Sequence, residues 1–156
     1  MSLDHIGIAT SDFQKTVSFY EAVLSTLGYK KLMTIEGDKA AGFGKRFPSF
    51  WIHPGRTSNE TTPRTGTHVA FVANSRQKVD EFYQMALKHG AKDNGSPGLR
   101  PQYHRFYYGA FVIDADGNNI EAVNHFDWRS FIGWKTMVVS STILLIFISV
   151  LIKKFF

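Results

Sequence analysis

Short segments that alternate apolar and polar residues, each followed by a segment of helical spacing, occupy the chain as far as about Asn124. Leu3 to Ala9 and His68 to Ala73 alternate with a period of two, which predicts strands with one buried face. After each comes a turn carrying Ser, Asp or Asn, whose side-chain oxygens accept from the free amides at a helix start. Phe13, Val17, Tyr20, Leu24 and Leu27 then recur at helical spacing, as do Val79, Phe82, Tyr83, Ala86 and Leu87. Each set is the apolar stripe of an amphipathic helix, and Gly28 and Gly90 follow as helix stops. Further strands are predicted near Tyr29–Ile35, Ala40–Gly44 and Ser49–His53, and near Ala91–Asp93, Tyr107–Ile113 and Asn119–Val123. The turn Asp114-Ala115-Asp116-Gly117 makes the last two a hairpin. Pro54 to Gly66 is polar and rich in Thr, Pro and Gly, and reads as a linker.

The two halves repeat. A gapless shift of 63 positions lays His5 on His68, Gln14 on Gln77, Lys15 on Lys78, Phe19 on Phe82, Tyr20 on Tyr83 and Leu24 on Leu87. The chain is therefore read as α+β: paired βαβββ modules, about 2–54 and 66–125, in one domain of residues 1–127 with equivalent residues facing a shared cleft.

Beyond the domain the pattern changes. Thr136 to Ile152 carries no charge and is dominated by Val, Ile, Leu and Phe. Its length of about 25 Å at 1.5 Å per residue is near the low end for a hydrocarbon core. Trp134 and Lys135 sit at one edge and Lys153 and Lys154 at the other, where interfacial aromatics and snorkelling amines belong. Residues 136–152 are expected to form a single-pass transmembrane helix. With no signal-peptide pattern ahead of it, the span reads as a tail anchor in the endoplasmic reticulum or mitochondrial outer membrane, with the domain facing the cytosol.

Composition narrows the chemistry. The net charge of +5 comes from scattered Lys and Arg, without the stripe that a nucleic-acid backbone needs. Without cysteine, thiolate nucleophiles and thiolate metal sites are excluded, and a metal must be held by His, Asp or Glu. His5 and His68 are equivalent under the repeat and have small neighbours, Gly7 and Ala70, on the same strand faces. Glu121, between Ile120 and Ala122, is a carboxylate in an apolar strand that needs a cation or hydrogen-bond partner. Two His and one carboxylate form a known ligand set for divalent ions; a metal-free pocket is the alternative.

Leu3-Asp4-His5-Ile6-Gly7-Ile8, Thr67-His68-Val69-Ala70-Phe71 and Asp116-Gly117-Asn118-Asn119-Ile120-Glu121-Ala122-Val123 resemble the signature strands of the vicinal-oxygen-chelate superfamily of glyoxalases, bleomycin resistance proteins and dioxygenases. The resemblance covers about residues 2 to 125 and is strongest to small single-domain glyoxalase-like proteins. It implies a mixed sheet curled around the cleft, and one divalent ion (iron, manganese, zinc or nickel) held by His5, His68 and Glu121. It also implies a metal-dependent lyase, isomerase or dioxygenase acting on a small oxygenated molecule. The fourth ligand position falls near Trp51, which cannot ligate. That departure keeps open a non-catalytic protein that binds or sequesters a small molecule.

Asn94 to Arg105 is where a substrate lid is expected. In and around it His104 is read as an acid/base or substrate-orienting group and Arg100 as an anion contact, with Trp51 and Tyr108 as apolar walls. A cleft closed by one chain and one closed by a swapped homodimer are both compatible with the sequence.

Overall fold

The computed structural model describes residues 3–55 and 66–125. They form two βαβββ modules: β1 (Ile6–Thr10), α1 (Phe13–Ser25), β2 (Lys30–Ile35), β3 (Ala40–Gly44) and β4 (Pro48–Pro54), then β5 (His68–Val72), α2 (Arg76–Lys88), β6 (Lys92–Leu99), β7 (Tyr108–Ile113) and β8 (Asn119–Asn124). Each helix starts on a side-chain cap, with Asp12 accepting from the Lys15 amide at 3.1 Å and Ser75 from the Lys78 amide at 3.3 Å. In each module the first strand pairs in parallel with the last, which continues into an antiparallel ladder. The sheet orders are β1-β4-β3-β2 and β5-β8-β7-β6.

Register makes the repeat visible in three dimensions. Gly7 pairs with Trp51 in the first sheet as Ala70 pairs with Glu121 in the second. Trp51 therefore stands where Glu121 stands, as the sequence suggested.

The helix-facing residues of both sheets are buried in a core shared with α1 and α2. Phe50 lies near its centre, with ring centres 4.9 Å from Tyr20, 5.2 Å from Phe71 and 6.3 Å from Phe43. A polar clasp also joins the modules. The Tyr20 hydroxyl donates to Asp114 Oδ2 at 2.6 Å, and Asp114 Oδ1 accepts the amides of Asp116 and Asn118. Asp116, 2% exposed, accepts the Thr10 hydroxyl at 2.5 Å and the Ser11 amide and hydroxyl at 3.1 and 2.7 Å.

Burial alone would push the Asp116 carboxyl up, but the donors of Thr10, Ser11 and Thr16 outweigh it and hold it below the ordinary range. Its stabilisation is present above the unfolded value of about 3.9 and is lost as pH falls through the lower folded value. Asp116→Asn is expected to destabilise the domain at neutral pH by about 1–3 kcal/mol and to flatten the acid limb of a urea-midpoint profile below about pH 4. An unchanged acid limb would remove Asp116 from that role.

Two boundaries differ from the sequence reading. Strand β1 begins at Ile6, so Leu3 to His5 precede the ladder. Strand β6 runs to Leu99 through register shifts between Asp93, Gly95 and Gly98, so Asn94 to Leu99 belong to the sheet and not to a lid. The chain divides into two compact units, 1–125 and 126–156; the second, with the expected span at 136–152, lies outside the described residues, as does most of the linker. Among the described residues no helix is long and apolar enough to cross a membrane.

Candidate functional site

Strand alternation divides the second sheet into a buried helix face and an opposite, open face. On β5, Val69 and Phe71 are buried whereas His68, Ala70 and Val72 are exposed. The open face continues onto β8 and β7, where Glu121 stands between its register partners Ala70 and Phe111. Although it belongs to the open face, Glu121 is only 1% exposed. Tyr107 accounts for this, because its hydroxyl donates to Glu121 Oε1 at 2.5 Å. Gly109 makes room for the contact: a Cβ there would stand 3.0 Å from Glu121 Oε1 and 3.2 Å from the Tyr107 ring.

Tyr107 is held well above the ordinary phenol range, first by burial, then by its bond to Glu121 and the charge of that carboxylate. It remains a proton donor, and Glu121 Oε2 is left for another partner.

That partner is His68, whose Nε2 lies 3.3 Å from Oε2. The other ring nitrogen, Nδ1, is 3.1 Å from the Asn119 carbonyl oxygen. A carbonyl only accepts, so Nδ1 carries a proton and a neutral ring presents the bare lone pair of Nε2 to a carboxylate oxygen. Two electron-rich atoms at that distance need a cation between them, either a second ring proton or a metal ion. The residues fit an ion: adjacent ligands at about 2.1 Å from a metal stand roughly 3.0–3.4 Å apart. A ligating His, moreover, ordinarily donates its second N–H to a carbonyl or carboxylate.

His5 occupies the wall of the same pocket of about 300 Å³ as His68. Its Nδ1 lies 2.6 Å from Asp4 Oδ1, which orients the ring and leaves Nε2 free. His5 lies just before β1 and so outside the ladder that β1 forms with β4. Among the described residues no three His, Asp or Glu side chains converge as ion ligands. The structure thus brings His68 and Glu121 into contact and places His5 on one pocket wall with His68, without closing the set.

The remaining candidates separate. Trp51 lies on the first sheet, its ring covering Gly42, where a Cβ would meet ring carbons at 2.9 and 3.0 Å. Arg100 gives two donors to the carbonyls of Ser96 and Leu99, at 2.6 and 3.3 Å, and its guanidinium lies 5.6 Å from the Phe111 ring centre. Phe111 in turn stacks on His68, so Arg100 is one ring removed from the pair. Tyr108 stands on the helix face, donating to Asp80 at 2.9 Å under the Arg76 guanidinium, whereas its neighbour Tyr107 is the tyrosine bonded to Glu121.

His104 accepts the Phe106 amide on Nδ1 at 3.2 Å, so its Nε2 carries the proton and faces His125 Nδ1 at 3.0 Å. Both rings pack against Tyr107, with centres 5.3 and 5.1 Å away. The sequence reading had missed His125. Its position two steps of two beyond Glu121 was the available signal.

Solved structures share this architecture. A glyoxalase/bleomycin resistance protein from Albidiferax ferrireducens T118 aligns with a TM-score of 0.63 at 25% identity, over 78% of this chain and 97% of that one. A glyoxalase/bleomycin resistance protein/dioxygenase family enzyme from Burkholderia phytofirmans PsJN aligns with 0.61 at 18%, over 81% and 100%. A fosfomycin resistance protein variant from Listeria monocytogenes, solved with Mn(II) and 1S,2S-dihydroxypropylphosphonic acid, aligns with 0.58 at 22%, over 78% and 87%. No curated protein matches the chain. The family model of the Glyoxalase/Bleomycin resistance protein/Dioxygenase superfamily matches residues 2–122, and the chain belongs to that superfamily.

Proposed function

We propose that the open face of the second sheet holds one divalent ion through His68 Nε2 and Glu121 Oε2, with His5 as the third ligand, and acts on a small oxygenated molecule. The observation that carries this reading is His68 Nε2 facing Glu121 Oε2 at 3.3 Å while Nδ1 is turned to the Asn119 carbonyl. The Listeria protein, which was solved with both a metal and a small oxygenated ligand, supports it by analogy of fold.

Such an ion supplies Lewis-acid stabilisation of negative charge developing on a substrate oxygen. The chain's own residues do the rest. Tyr107 orients Glu121 through its hydroxyl. Phe111 and the His68 ring form an apolar flank. His104, paired with His125 at the exposed end, is placed to exchange a proton with solvent. His104→Ala is expected to reduce turnover of any accepted substrate at least tenfold, about 1.4 kcal/mol in barrier, without loss of fold. Unchanged kinetics would remove it from the mechanism.

Trp51 in place of a fourth ligand favours a second reading, a binding or sequestering protein on the same fold. Metal analysis of the purified chain separates the two. About one ion per chain, removed by chelator and restored by dialysis, supports the first; a metal-free protein with an intact fold supports the second. We further propose that residues 136–152 anchor the domain to a membrane on its cytosolic side. Release by alkaline carbonate would contradict the anchor, and protection of the domain from protease in intact organelles would contradict its orientation.

A further inference from the structure

A second pocket, of about 240 Å³, lies between the two modules and shares no lining residue with the pocket lined by His5 and His68. Phe19, Ala91 and Ala115 supply its apolar surface, and Lys15 and His89 are among its lining residues. Its polar walls are already spoken for. Asp114 accepts from Tyr20, from the amides of Asp116 and Asn118 and from the Asn118 side chain, and the Ser18 hydroxyl donates to the Gln14 carbonyl. Lys15 and His89 differ. Among the described residues no carboxylate lies within ion-pair distance of the Lys15 ammonium, and neither side chain makes a hydrogen bond.

An apolar hollow with two unspent cationic or donor groups, and with its one carboxylate already accepting from four donors, suits an amphiphile with one anionic end. We propose that this is a binding site for a small aromatic or aliphatic carboxylate, whose apolar body lies on Phe19 and Ala91 and whose carboxylate meets Lys15 and His89. Such a ligand touches α1 of one module and the end of α2 and the β7–β8 turn of the other. It would tie the modules at the clasp formed by Tyr20 and Asp114. The proposal is independent of the metal reading.

Cinnamate and cinnamyl alcohol share an apolar body and differ in charge, so they test it directly. In calorimetric titration of the full chain, cinnamate is expected to bind with Kd of about 1 mM or tighter, and the alcohol at least tenfold more weakly. Lys15→Glu, at an exposed position, should weaken cinnamate at least tenfold, and Ala115→Trp, which fills the hollow, should abolish binding. Glu121→Gln should bind cinnamate as the wild type does. Equal binding of acid and alcohol, or binding unaffected by both pocket variants, would overturn the site. Loss of binding in Glu121→Gln would move the carboxylate to the metal centre and overturn it equally.

Discussion

Glu121→Ala is expected to weaken binding of a divalent ion such as Zn(II) at least about a hundredfold, roughly 2.7 kcal/mol, while leaving the metal-free fold intact. The two halves of that expectation have separate causes. Removing Oε2 deletes one of the two donors that face each other at 3.3 Å, and the His68 ring alone cannot hold an ion against water. Stability need not fall with it. A carboxylate only 1% exposed, with no Lys or Arg reaching it among the described residues, carries a desolvation cost that its Tyr107 bond only partly offsets. Thermal unfolding distinguishes the effects: an ion at a hundred times its Kd adds about 2.7 kcal/mol to the wild type and little to the variant. Equal stabilisation of both by metal would place the ion elsewhere.

Phe50→Ala is expected to cost about 3–5 kcal/mol, the usual range for emptying a fully buried aromatic site. Phe50 is 1% exposed and touches rings from both modules, Tyr20 and Phe43 on its own side and Phe71 on the other. Its loss should therefore lower a single cooperative transition in urea. Two separated transitions in the wild type would show that the modules fold independently and that the shared core has been overvalued.

How much of this was legible in the sequence depended on whether the signal was local. The helices were, because their apolar positions and capping Asp12 and Ser75 sit within one segment. So was the hairpin at Asp114 to Gly117, and so were His68 and Glu121 as a pair, since the repeat pointed to one and an apolar strand to the other. Strand β6 was cut short in the reading because Gly95, Pro97 and Gly98 signal a turn, whereas here they accommodate irregularities in a paired strand.

Tyr107 and Tyr108 show a different limit. Adjacent residues along a strand direction point to opposite faces, so a single step of phase separates the tyrosine beside Glu121 from the one beside α2. The partners that make His68 and Glu121 chemically specific, Asn119 and Tyr107, come from cross-strand register and side-chain reach, neither of which a single sequence displays. The gapless repeat also weakens beyond the helices. The second module spends more chain between β6 and β7, from Leu99 to Tyr108, than the first spends between β2 and β3, from Ile35 to Ala40. The register pairs Trp51 with Gly7 as it pairs Glu121 with Ala70, which makes exact a correspondence the sequence placed only near Trp51.

The central claim, that His68 presents a bare Nε2 to an ion shared with Glu121, is tested most directly by nitrogen NMR of the imidazole rings during addition of Zn(II). The account predicts that His68 keeps its proton on Nδ1, bonded to the Asn119 carbonyl, while its Nε2 resonance moves to the position of a metal-bound nitrogen with one equivalent of ion. A His68 ring whose nitrogens do not respond to Zn(II), whether it is a neutral ring or an imidazolium paired to Glu121, would contradict it.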